Sequence, residues 1–287
     1  MQSTPLTLQT KLPLTCSRTG TCCHGNMVWL NPWELLCLAT EKGISVREFR
    51  DLYCEYGGIR LLFNGKADYR GKQACSQYIE NFGCSVHVGR PLACRLFPIA
   101  RQLKNEEVCY MYQGSKFPCL DGCPEVLDLP QLTVAEYLEG QQTGLFEQAQ
   151  DVYLDLMQDL ADIAFALLLD SGLAESGDCG TLAAWRQMGQ EHPDKLESRI
   201  SNEWMECLMV PDISYTSDPV LFSQRHNELL QEKLQYTCND LHTLREMSEA
   251  SVLTMAMALH LARALGANPE LLSEHWIDIA KQHGALE

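Results

Sequence analysis

The chain has 287 residues, 46% hydrophobic and 21% charged, a balance that belongs to a folded protein and excludes a disordered one. Its longest apolar run, Ile163 to Leu169, is far short of the roughly 18 residues a spanning helix needs, so no membrane partner is expected. The formal charge of −16 is unevenly spread: residues 1–130 carry 14 Lys+Arg and 12 Asp+Glu, whereas residues 131–287 carry 8 and 26. Such an excess of carboxylates repels phosphate backbones, so nucleic acid is not an expected partner and a basic protein is.

Met1 to Leu6 has no basic start followed by an apolar run. No secretory signal is therefore expected, and the expected address is cytoplasmic. Disulfides do not persist there. The 14 cysteines then read as metal ligands or reactive thiols rather than as a disulfide framework.

In chain order, Asn31-Pro32-Trp33-Glu34 predicts a helix start, with Asn31 as cap and Pro32 at the first helical position, running to about Thr40. Ser45 and Glu48 have the spacing of a second start, for a short helix that ends before Gly57-Gly58. Ile59 to Phe63 reads as a strand and Asn64-Gly65 as a tight turn. From there to Pro130 the chain reads as irregular and rich in Gly, Pro and Cys. Irregular backbone with few apolar runs buries little core, and bound metal is the usual substitute.

Beyond Thr133 the pattern turns helical. Leu156, Met157, Leu160, Ile163, Ala164 and Leu167 recur at spacings of three and four and give one apolar face. Further helices are expected over about 182–209 with a break at His192-Pro193, then 218–239, 243–265 and 269–282. The expected fold class is α+β, mostly α: an irregular cysteine-rich metal-binding domain over residues 1–130, then an acidic helical bundle over 131–287.

The cysteines fall in clusters: Cys16, Cys22 and Cys23; then Cys75, Cys84 and Cys94; then Cys109, Cys119 and Cys123. Thiolates suit zinc and iron–sulfur clusters, each usually taking four, so these segments supply one site with spares or two complete sites. No C-x2-C knuckle and no ferredoxin-type run is present, and spacing alone does not choose the metal. Adjacent side chains on extended backbone point in opposite directions. Either the chain turns tightly at Cys22-Cys23, as Gly20 and Gly25 would permit, or the two thiols serve different sites. Arg90 and Arg95 flank Cys94 and could neutralise thiolates or pair with a carboxylate. His24 and His87 are minor ligand candidates. Cys37 and Cys54, on predicted helices, and the isolated Cys179, Cys207 and Cys238 read as structural.

Asp151, Asp155, Asp159 and Asp162 share a helix face and read as a solvated surface. There is no phosphate-binding loop, no nucleophile elbow and no H-E-x2-H.

The run Cys16-Ser17-Arg18-Thr19-Gly20-Thr21-Cys22-Cys23, together with Cys84-Ser85-Val86-His87-x2-Arg90-Pro91-x2-Cys94-Arg95-x-Phe97-Pro98, resembles the YkgJ-type cysteine-cluster (CxxCxxCC) family. That family is described as zinc- or iron-chelating, or as iron–sulfur proteins. The second cysteine of its pattern is Thr19 here, and Cys119 or Cys123 could compensate. Cys123-Pro124-Glu125 is more distantly similar to flagellin lysine-N-methylases. The resemblance implies metal ligation by Cys16, Cys22, Cys23, Cys75, Cys84, Cys94 and Cys123.

The first expectation is thus an iron–sulfur protein, with [4Fe–4S] the leading form. A structural zinc protein with a partner-binding bundle is the second. An S-adenosylmethionine-dependent protein lysine N-methylase is the third, although no methyl-donor site is legible. The sequence leaves open whether the protein is an enzyme.

Overall fold

The computed structural model describes residues 3–15, 20–104, 107–113, 123–169, 172 and 180–285. Cys16, Thr19, Cys119 and Cys179 lie outside the described residues. The chain forms two compact units: residues 1–28, 37–45 and 61–147 make the first, and residues 29–36, 46–60 and 148–287 the second. The division falls after Glu147, where the sequence suggested residue 130, and two N-terminal stretches count with the helical unit.

The elements run β1 (Ser3–Leu6), β2 (Lys11–Leu12), α1 (Pro32–Lys42), α2 (Val46–Tyr53), β3 (Cys54–Glu55), β4 (Arg60–Leu61), β5 (Tyr78–Ile79), β6 (Gly83–Cys84), α3 (Leu92–Leu96), β7 (Ala100–Lys104), β8 (Glu107–Gln113), β9 (Leu132–Thr133) and α4 (Val134–Gly140). Then follow α5 (Gly144–Leu169), α6 (Gly180–Gln190), α7 (Pro193–Glu197), α8 (Asn202–Met209), α9 (Pro219–Cys238), α10 (Leu244–Ala264) and α11 (Pro269–Gln282). The fold is α+β and mostly α, as the sequence predicts.

In the first unit, β1, β8 and β7 form an antiparallel sheet in that order, with Leu6 opposite Tyr110 and Ala100 opposite Met111. This sheet is a correction, because the sequence suggested irregular chain to Pro130. Tyr110 and Tyr112 alternate onto one face and pack with Leu6 and Leu12 on a core of Leu14, Ile99, Val134 and Tyr137. A second pair, β2 with β9, delivers the chain into α4. There Thr133 and Glu136 form a reciprocal cap: Glu136 N donates to Thr133 Oγ1 at 3.2 Å, and Thr133 N to Glu136 Oε2 at 2.7 Å. The helix is thereby fixed where it covers the sheet core.

In the second unit, Asn31 caps α1 as expected, and Glu34 answers it, with Glu34 N to Asn31 Oδ1 at 2.9 Å and Asn31 N to Glu34 Oε2 at 3.1 Å. The expected strand over 59–63 shrinks to Arg60–Leu61, and Cys54 belongs to β3 rather than to a helix. Arg47 and Arg50 of α2 both bind Glu206 of α8, at 2.8 and 2.6 Å. The break at His192-Pro193 is present, separating α6 from α7, and α11 spans the expected residues. Helix α6 lies close on α11 because Gly189 has no side chain: a Cβ there would stand 2.0 Å from Ser273 Oγ. The α5 face is buried at Leu156, Met157, Leu160 and Ala164, and α10 is buried from Thr254 to Ala262. Ile163 and Leu167, by contrast, line an open groove of about 730 Å³ with Leu234, Leu241 and Met247, edged by Asp159 and Asp162. Among the described residues no helix is long and apolar enough to cross a membrane.

Two histidines are sealed inside this unit. Those at 226 and 260 are fully buried. His226 Nε2 lies 2.9 Å from Cys207 O, which can only accept, so Nε2 carries the proton and Nδ1 accepts from Tyr153 Oη at 3.0 Å. Neither ring nitrogen of His260 has a partner among the described residues. Burial depresses His226 to about 4 and His260 to about 3.

An unfolded chain takes up protons on these rings below about pH 6.5, and the folded chain does not. Stability should therefore be flat above neutrality and fall as pH drops, by about 2–3 kcal/mol per histidine at pH 4.5. Urea unfolding followed by fluorescence of the buried Trp185 and Trp276 measures this. His260→Leu should remove about half of the acid sensitivity, and an unchanged pH profile in that variant would contradict the assignment.

Candidate metal centre

Residues 20–25 turn sharply. Gly20 and Gly25 have φ of +78° and +68°, in the left-handed region that glycine adopts freely, and Thr21–Cys23 between them is a 3-10 turn. Gly20 also lacks the room for a side chain, since a Cβ would meet the Tyr78 ring at 2.5 Å. Gly20 O accepts from Cys23 N and from His24 Nδ1, both at 2.9 Å. The turn settles the question posed by adjacent cysteines: Cys22 and Cys23 Sγ stand 4.0 Å apart, on the same side.

Backbone pairing brings the other cysteines to this turn. Residues 23–25 run antiparallel to 73–75, with Cys75 N donating to Cys23 O at 2.7 Å and Gly25 N to Gln73 O at 2.9 Å. The β5–β6 hairpin then sets Cys84 opposite Tyr78, and Ser85 N donates to Gln77 O at 2.8 Å. Cys94 follows on α3, which opens with Pro91. The loop before α3 presses on α1 at Gly89, where a Cβ would lie 2.6 Å from Cys37 O.

The thiols act on one another. A hydrogen bond with Cys23 lowers Cys22 to about 7. Cys23 is pushed up by that same bond, by burial, and by the thiols of Cys22, Cys94 and Cys84. Burial raises Cys75 to about 11 against the Gln77 N–H, which donates to its sulfur at 3.5 Å. Cys84 is raised by burial and eased by the Val86 N–H, Arg90 and Lys42. The structure thus gathers Cys22, Cys23, Cys75, Cys84 and Cys94. Cys123 is buried at the start of the 3-10 turn Pro124–Asp128, and Cys109 lies in β8 opposite Gln102. Among the described residues no group of three or more Cys, His, Asp or Glu side chains is placed so that it could hold a metal ion.

The two arginines divide their roles. Arg90 acts on Cys22 and Cys84 through its charge, while its Nη1 donates to His87 O at 2.8 Å and Nη2 reaches Gln141. Arg95 is a clamp. Buried at 4% exposure, it donates to the carbonyls of Arg90 at 2.9 Å, Gln141 at 2.7 Å and Val88, and it stacks 3.8 Å from the Phe146 ring centre. Those donors go to main chain, where the sequence suggested sulfur or a carboxylate. The reading also passed over Lys42, Ser76, Gln77 and Ser85, which surround the thiols. One faint signal existed, the Cys-Ser dipeptide at 16, 75 and 84.

By their chemistry the donors suit a soft metal, since thiolates are ligands of zinc and iron. Sulfurs about 2.3 Å from one tetrahedral ion are about 3.8 Å apart along each edge, close to the 4.0 Å of Cys22 and Cys23. Five half-buried thiols that resist joint ionisation are also what a cation relieves. The first unit thus contains a thiol-rich module. Residues 15–113, about a third of the chain, match the CxxCxxCC family model, described as "Putative zinc- or iron-chelating domain". Comparison with curated proteins and with solved structures gave no match.

Arg95→Ala should leave the three carbonyls without their donor, costing about 3 kcal/mol or more. Arg95→Lys should recover little, because an ammonium cannot span the same fork. Hydrogen exchange over residues 84–104 reports it, and wild-type protection in Arg95→Ala would show that the clamp is dispensable.

Proposed function

We propose that this module holds zinc or iron in a thiolate centre where one ion takes both Cys22 and Cys23. Cys75, Cys84 and Cys94 supply the remaining thiolates, with Cys16 and Cys123 as further ligand candidates. The observation that carries the reading is the 4.0 Å separation of the adjacent sulfurs. In a [4Fe–4S] cube each protein thiolate binds its own iron along a bond pointing outward from a corner, so the ligand sulfurs spread wider than on one ion. A single tetrahedral ion fits the pair, and so does a two-iron cluster in which each iron takes two thiolates. Both therefore fit better than the cubane expected from sequence.

In either case the metal ties together residues 20–25, the 73–85 segment and α3. Those pieces are joined otherwise by short pairings and by the buried side chains of Ala74, Val86, Leu92 and Leu96, and metal binding would couple to the folding of this region. Bound iron would add electron transfer or sensing, and zinc would make the centre structural.

Elemental analysis of anaerobically purified protein should find one or two metal ions per chain. Four irons with matching sulfide would sink the shared-ion reading. Cys22→Ala and Cys94→Ala should each lose the metal, whereas Cys207→Ala and Cys238→Ala should keep it. Full metal content in a Cys22/Cys94 double variant would remove the ligand assignment.

A further inference from the structure

The last turn of α1 sends a cation into the region of the thiols. Lys42 is half-buried, and its Nζ donates to Gln77 Oε1 at 3.1 Å and to Ser85 Oγ at 3.3 Å. The acceptors flank the two strands of the β5–β6 hairpin: Gln77 stands two residues after Cys75, and Ser85 directly follows Cys84. One ammonium therefore ties the two sides of that hairpin together.

Gln77 is the relay. It is 1% exposed, and its polar groups are engaged: Oε1 accepts from Lys42 and from Ser85 Oγ at 3.2 Å, and Nε2 donates to Ser76 Oγ at 3.3 Å. Its main-chain N donates to Cys75 Sγ at 3.5 Å, and its O accepts from Ser85 N at 2.8 Å. A neutral donor could satisfy Gln77 Oε1 and Ser85 Oγ equally well. Drawing an ammonium partly out of water has a desolvation cost that such a bridge does not require. Charge nearby accounts for it, since four thiolates on a dication leave an excess of negative charge that an adjacent cation offsets.

We propose that Lys42, seated by Gln77 and Ser85, is a positioning residue of the thiolate centre, an outer cation that holds Cys75 and Cys84 in place and slows release of the metal. The inference rests on the metal-holding reading above. Arg90 acts on Cys22 and Cys84 from the loop preceding α3, so Cys84 is flanked by one cation from α1 and one from that loop. A helix-terminal lysine paired only with its own carbonyls would be the ordinary arrangement. Lys42 instead reaches side chains on both sides of the β5–β6 hairpin.

The test uses the full chain loaded with zinc and, separately, with iron, and follows the rate of metal transfer to a chelator. Lys42→Gln keeps hydrogen-bonding capacity and loses the charge. It should release metal about tenfold faster, the lower end of what loss of an outer-shell partner does to metal sites. Lys42→Arg keeps the charge and should stay within about threefold of wild type. Far-UV circular dichroism and urea midpoints of the metal-free proteins should coincide. Lys42→Met, which retains the apolar stem, replaces Lys42→Gln if that variant is unstable. Release at the wild-type rate from both charge-free variants would overturn the proposal, as would an arginine variant no better than the glutamine one. A wild-type chain that takes up neither metal would overturn the metal reading itself, and that result needs no variant to be recognised.

Discussion

Cys22, Cys23, Cys75, Cys84 and Cys94 come together in the first unit, where neighbouring thiols and burial hold Cys23, Cys75 and Cys84 above an ordinary thiol. This constraint organises the fold around them. Cys23 holds its proton because Cys22, Cys84 and Cys94 crowd it, while Cys22 gives its proton up readily. The surrounding structure answers with donors aimed at sulfur: the main-chain N–H groups of Gln77 and Val86, the Ser76 hydroxyl, and the charges of Arg90 and Lys42. A bound metal, as proposed, would replace several protons at once and turn mutual repulsion into shared coordination.

Scaffolding of the centre is mostly main chain. The pairing of residues 23–25 with 73–75 and the β5–β6 hairpin are set by backbone groups that many side chains would allow, and the Arg95 clamp by one guanidinium against three main-chain carbonyls. That explains why positions such as Gly20 and Gly89, which permit close approach, matter as much as the cysteines. The β1-β8-β7 sheet and α4 supply an apolar core of their own.

Legibility in the sequence followed the physics of each element. Helices α9, α10 and α11 were readable because Asp218, Thr243 and Asn268 cap them and apolar residues repeat with helical period. The sheet was missed because Cys109 drew β8 into the ligand count and hid the alternation of Tyr110 and Tyr112. β1, only four residues long, finds its partner more than a hundred residues away. Among the site residues, the cysteines stood out by type. Lys42 and Gln77 did not, since an ordinary lysine ending a helix and an ordinary glutamine acquire meaning only when the fold brings them to the thiols. Arg95 was noticed for its position beside Cys94, but its burial against main-chain carbonyls depends on α4 and could not be read locally.

The central claim is that Cys22 and Cys23 bind one ion. X-ray absorption at the metal edge of the loaded protein tests it most directly. The account predicts sulfur neighbours at about 2.3 Å, the distance of a thiolate ligand, with no metal–metal shell or with that of a single partner ion. A shell requiring three metal neighbours around each absorber would place the thiolates on the corners of a cube and contradict it.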